Sequence, residues 1–241
     1  MNPSMRVLGS WGGALQSFCF ISINHYICRV LETVCRVDYL SFRSHLYPQG
    51  CFNINQVLLW EKDFDRNNLT RWCRKGLLVK LRNEYYAFPE YKQVPGFSRY
   101  VANRIYNPSY ISLHSALSFY GIIPEEVIQL TSVSTLKTAS FRNPFGTFHY
   151  QNVKESMYFG YEIKTLSDGR GVLMATPEKA LLDLLYLYPF YRTVQDMEEL
   201  RLDEDFMQNE LDVNRLQDYA TRIDSKALDR RVSCLKTVYD L

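Results

Sequence analysis

Asn67, Thr70, Arg71 and Arg74 recur at i, i+3, i+4 and i+7, the spacing that lines side chains along one face of a helix. Their types suit duplex DNA. Arg pairs in bidentate fashion with the major-groove edge of guanine and Asn with that of adenine, while Thr and Lys more often meet phosphate. From Arg66 to Arg82 the chain carries six cations, Arg66, Arg71, Arg74, Lys75, Lys80 and Arg82, and no acidic residue. The formal net charge of the 241 residues is only +2, because eight carboxylates between Asp196 and Asp212 face a single cation, Arg201. The chain-wide average therefore conceals a basic centre and an acidic one.

On the opposite side of the same helix, Leu69, Trp72 and Cys73 recur at i, i+3 and i+4 and form an inward face. A recognition helix enters the major groove with its N-terminal half, which assigns base contacts to Asn67, Asn68, Thr70 and Arg71. Arg66 stands at the entry to the helix. Arg74, Lys75, Lys80 and Arg82 are placed to hold the backbone, and Arg82-Asn83 is the tip of a hairpin reaching toward the minor groove.

A second group with chemical potential is Glu178, Lys179 and Asp183 in TPEKALLDLL. Two carboxylates and a lysine could serve a DNA-targeted, metal-dependent nuclease, which is the alternative reading. The spacing has a simpler account. Thr176 caps a helix, Pro177 is its first residue, Glu178 suits the positive helix end, and Lys179 and Asp183 are an i, i+4 ion pair. His114, on a mostly apolar stretch, reads as a structural hydrogen-bonding residue. No G-x-S-x-G, P-loop or G-x-G-x-x-G occurs. The six cysteines form no CxxC pair and the four histidines are dispersed, so neither a metal, a cofactor nor catalysis is expected. Reduced thiols and a cytoplasmic protein follow.

The elements that must hold the basic face are legible from Val37 onward. VDYLSFRSHLY has near-helical apolar spacing and ends at Pro48-Gln49-Gly50. Asn53 caps a second helix with Ile54, Val57, Leu58 and Leu59 on its apolar face. The third runs from about Arg66 to Lys75, with Asp65 as cap and Gly76 at its left-handed end. LLVKL and EYYAF then alternate as two strands of a hairpin. The result is an α+β fold with a winged helix-turn-helix over 38–92.

A linker over 93–108, punctuated by Pro95, Gly96 and Pro108, leads to a mixed α/β domain at 109–241 with a small sheet packed on helices. Within it, SYISLHSALSFYGII reads as a helix. LTSVST, KTASFR, GTFHYQNV, YFGYEIKT and GVLMAT read as four or five strands, and the acidic tail as two or three helices after TPEKALLDLLYLY. Residues 1–37 read as a poorly ordered N-terminal extension, of the kind an upstream start codon adds. Their apolar run is too short to span a bilayer.

The order of a basic winged helix, YNPSYISLHSALSFYGIIPE, LTSVST, FGTFHY and ATPEKALLDLLYL resembles the AbiEi-type antitoxins, predicted transcriptional regulators of viral defence in type IV toxin–antitoxin systems. The resemblance covers about residues 38–241 and is sharpest at Ser109-Tyr110-Ile111-Ser112 with Ser115-Ala116-Leu117, and at Thr176 to Leu187. It implies a winged helix that represses its own operon by binding inverted repeats in double-stranded promoter DNA, through Arg66, Asn67, Asn68, Arg71, Arg74, Lys75, Lys80 and Arg82. It also implies a C-terminal domain that counteracts a nucleotidyltransferase-like toxin without forming a stable complex with it. No coiled-coil seam marks a dimer, so a monomer or weak dimer with no membrane association is expected.

Overall fold

The structure, a computed structural model, describes residues 37–125 and 127–241. The expected extension over 1–37 lies almost wholly outside them.

The chain enters on α1 (Tyr39–Leu46), whose N-terminus is closed by the Asp38 carboxylate accepting from the Ser41 amide. Phe42 is fully buried on α1, and its ring meets Phe52, Trp60, Phe64, Trp72 and Phe88 at centroid distances of 4.6 to 6.4 Å. These edge, tilted and stacked contacts make a compact aromatic core out of three helices and a sheet. Strand β1 (Cys51–Asn53) leads directly into α2 (Ile54–Trp60), because Asn53 and Gln56 satisfy each other's backbone amides in a capping box. Helix α3 (Asn67–Arg74) follows, then β2 (Val79–Arg82) and β3 (Tyr85–Ala87), which complete an antiparallel sheet in the order β1-β3-β2. The hairpin turn is Asn83-Glu84, one residue later than expected, with Glu84 at φ +64°.

The stretch expected as a linker carries α4 (Phe97–Ile105), with Phe97, Tyr100, Val101, Ala102 and Ile105 all buried. Its breakers bracket the helix rather than interrupt it: Pro95 and Gly96 stand before it and Pro108 after. Helix α4 packs on the second sheet, contacting β4 (Ser109–Ile111), β5 (Gln129–Ser134) and β9 (Gly171–Ala175).

That sheet has six strands in the order β6-β7-β5-β4-β9-β8, adding β6 (Ala139–Asn143), β7 (Gly146–Asn152) and β8 (Tyr161–Thr165). It is mixed: β4 runs antiparallel to β5 and parallel to β9, and β5 runs parallel to β7. The reading of SYISLHSALSFYGII as one helix needs correction. Ser109–Ile111 is a central strand, and the helix, α5, spans only Leu113–Phe119. All three residues of β4 are buried, so no two-residue alternation marks the strand in the sequence.

Helix α6 (Pro177–Leu187) begins at Thr176, whose hydroxyl accepts from the Lys179 amide, and packs against α5 and β9. Four helices follow, α7 (Val194–Glu198), α8 (Glu204–Asn209), α9 (Val213–Ile223) and α10 (Lys226–Val238). Side-chain caps at Thr193, Asp203, Asp212 and Ser225 cut the acidic tail into more, shorter pieces than its apolar spacing suggests. The molecule is thus mixed α+β, with a mixed sheet packed with helices. No helix of the described residues is long and apolar enough to cross a membrane.

Candidate nucleic-acid interface

Leu69 and Trp72 pin α3 to the aromatic core, and Cys73 is half-buried beside them. Burial pushes the Cys73 thiol above its ordinary range, only partly offset by the charge of Lys80. The outward side of α3 presents Asn67, Thr70, Arg71 and Arg74, with Arg66 at the N-cap and Lys75 at the C-cap, all exposed. Gly76, at φ +71°, turns the chain away so that Lys80 and Asn83 of the hairpin are exposed as well.

Two side chains behave differently from the expected interface. Asn68 is 7% exposed, and its carboxamide oxygen accepts from the Arg71 guanidinium. With its polar end committed and its body buried, Asn68 is a prop for Arg71 rather than a group that meets a base edge. Its position one residue from Leu69 draws it under the helix, which a four-residue stripe does not reveal. Arg71 is therefore held from two sides, by Asn68 and by Asp65 at 3.9 Å. Asp65 accepts from the Asn67 amide at 2.9 Å. The expected cap needs correction: the N-cap is Arg66, no side chain caps the helix from that position, and Asp65 closes only the turn that precedes it.

Arg82 is the second departure. Its guanidinium donates to the Ile105 carbonyl at 2.7 Å and stacks over Phe141 and Tyr106, at 4.4 and 5.0 Å from their ring centroids. A cation so occupied fastens the hairpin to α4 and β6 rather than reaching for phosphate. Next to it, Asn143 donates to the Leu81 carbonyl at 3.2 Å. The hairpin and β6 enclose an open groove of about 500 Å³ in which Lys80 and Asn83 face Ser140 and Arg142. Arg142 is an exposed cation that the sequence reading missed, since it belongs to a strand far along the chain.

The alternative site does not assemble an open centre. Glu178, Lys179 and Asp183 are all at most 2% exposed. Asp183 accepts from the hydroxyls of Tyr110 at 2.9 Å and Ser112 at 2.7 Å and pairs with the Lys179 ammonium, which also donates to Tyr110 Oη at 2.9 Å. The ion pair predicted from i, i+4 spacing is present, but inside the core rather than on a helix surface. Burial and the Asp183 charge raise the Tyr110 phenol far above its ordinary value, so it stays a neutral donor. Glu178 turns elsewhere, accepting from the Asp212 amide at 3.2 Å and facing Arg215 at 3.5 Å. Among the described residues no group of three or more His, Cys, Asp or Glu could hold a metal ion.

His114 also departs from expectation. No described residue hydrogen-bonds its ring, which lies 5.9 Å from Tyr188 between centroids. Burial lowers its pKa, and the nearby Glu125 charge opposes this only in part. No protein-family model matches the sequence, and comparison with curated proteins finds none that is similar to it.

Proposed function

We propose that the chain is a DNA-binding transcriptional autorepressor that also serves as the antitoxin of an AbiEi-like type IV toxin–antitoxin system. The observation that carries this reading is the exposed face of α3, where Arg66, Asn67, Thr70, Arg71, Arg74 and Lys75 stand together, with Asp65 beside Arg71 and Asp38 lining a hollow shared with Arg71 and Lys75 as acidic neighbours. The element order supports it. Three helices, with β1 between the first two and the β2-β3 hairpin after the third, match the layout of a winged helix-turn-helix whose third helix lies in the major groove. In this reading Asn67, Thr70 and Arg71 meet bases, Arg66, Arg74, Lys75 and Lys80 meet phosphates, and Asn83 is the wing tip. The partner is double-stranded DNA, with inverted repeats of its own promoter as the operator. The C-terminal part opposes a nucleotidyltransferase-like toxin without a lasting complex.

Fluorescence anisotropy with a duplex from the region upstream of the reading frame tests the proposal. Wild-type affinity should fall linearly in log-log form with salt, by about 0.9 in slope for each phosphate neutralised. Arg74→Ala with Lys80→Ala should reduce that slope by about 2 and weaken binding at every sequence. A salt-independent affinity, or a double variant that binds as tightly as wild type, would show that this face is merely solvated.

A further inference from the structure

A second concavity lies among α5, the start of β5 and the C-terminal ends of α6 and α7, and it shares no residue with the α3 face. Its volume is about 350 Å³, inside the range of roughly 300 to 1,000 Å³ common to small-ligand sites. The floor is apolar: Ile123, Leu184 and Leu200 are buried there. One wall is the half-buried His114 imidazole, free of any described protein hydrogen bond, and the ring of Tyr191 is another.

Two carboxylates stand on the lining, Glu125 and Glu199. Glu125 meets Arg201 at 3.3 Å, but both are more than half exposed, so that pair opens at little cost. Among the described residues, the Glu199 carboxylate accepts a hydrogen bond from the Gln195 amide at 3.4 Å and enters no ion pair. Large apolar side chains flank the same stretch of chain. Ile128 is 93% exposed between the lining residues Val127 and Gln129, and Phe190 is 59% exposed beside Tyr191.

We propose that this cleft binds a small organic cation, an ammonium or guanidinium group on an apolar stem. The stem lies on Ile123, Leu184 and Leu200, the charge sits between Glu125 and Glu199, and the His114 imidazole accepts one of its hydrogen bonds. An anion is repelled by the two carboxylates, and a neutral ligand gains no charge attraction from them. The cation can belong to a free amine or to an Arg or Lys side chain of another protein.

Butylguanidinium and its neutral isostere butylurea separate charge recognition from simple apolar filling, with NMR of the full chain as the readout. Butylguanidinium should shift the His114 ring and the Leu184 methyl resonances saturably, and butylurea should bind at least about tenfold more weakly. Glu199→Gln, an exposed substitution that leaves the fold intact by circular dichroism, should weaken butylguanidinium about tenfold. Acetyl-Leu-Arg-Leu-amide distinguishes the sources. Tighter binding than butylguanidinium, with the Ile128 resonances moving too, assigns the cleft to a protein side chain, and weaker binding assigns it to a free amine. No saturable shift, equal binding of butylurea, or an unchanged affinity in folded Glu199→Gln overturns the proposal.

Discussion

Lys179 and Asp183 show what a buried ion pair demands. Both are fully buried, and the pair survives there because Tyr110 and Ser112 satisfy the remaining carboxylate oxygen. The packing is close: a Cβ on Gly160 would meet the Lys179 stem at 3.0 Å. Removing one partner leaves an uncompensated charge, so Lys179→Met should cost about 3–5 kcal/mol in urea unfolding. Lys179→Met with Asp183→Leu should recover much of that loss, since neither charge then remains. A loss no larger than that of an exposed lysine would contradict the cluster. His114 supplies a pH dependence. Its folded pKa lies below the ordinary 6.5, so the unfolded chain binds the proton more readily. The associated stability is complete above about pH 6.5 and falls as the pH drops toward the lowered value. His114→Gln should therefore flatten the decline in melting temperature between about pH 7 and pH 5.5. Equal slopes in both proteins would place the titration elsewhere. The i, i+4 spacing of Lys179 and Asp183 was readable in the sequence, whereas their burial was not, because Tyr110 and Ser112 come from a strand distant in the chain.

Among the elements, helices with a polar cap and a clear apolar face were the readable ones. Asn53, Thr176 and Gly76 each mark an end where one is found. What escaped was set by tertiary partners. Strand β4 is buried on both faces and so shows no alternation, and α4 hides between proline and glycine signals that suggest a loop. The hairpin illustrates the same limit for the candidate interface. Its strands form as predicted, but only its neighbours decide that Arg82 points to Ile105, Tyr106 and Phe141 while Lys80 is exposed. This separation makes a test. Arg82→Ala removes a charge-assisted hydrogen bond and two stacking contacts, and should lower stability by about 1–3 kcal/mol. The salt slope of DNA binding should stay at the wild-type value, in contrast to the drop of about one unit expected for Lys80→Ala. An Arg82→Ala protein of unchanged stability and reduced slope would return this residue to the DNA-contacting set.

At the scale of the molecule, the two sheets are bound by a pair of arginines that no local pattern announces. Arg82 reaches from the first sheet to α4 and β6. Arg170 reaches back from the β8–β9 turn, donating to the Pro48 carbonyl at 3.0 Å and to Tyr91 Oη at 2.9 Å, and stacking over Tyr91 at 4.7 Å. Gly50 is shaped to this contact: it adopts φ +75°, and a Cβ there would stand 2.8 Å from Arg170 Nε. Buried residues run without a break from Phe42 through Phe97 and Tyr110 to Leu235, in one apolar cluster. Such continuity predicts that the two parts unfold together. The tryptophans make this measurable, because Trp60 and Trp72 belong to the first part and residues 93–241 contain none. In a Trp11→Phe background, tryptophan fluorescence reports the first part alone, while far-UV circular dichroism reports all the helices. The two urea transitions should coincide in the parent. With Arg82→Ala and Arg170→Ala combined, the fluorescence transition should move to lower urea and the dichroism curve should split into two steps. A parent whose two probes already disagree would mean that the cluster is not cooperative. The arginines would then decorate the junction without coupling the basic face of α3 to the sheet behind it.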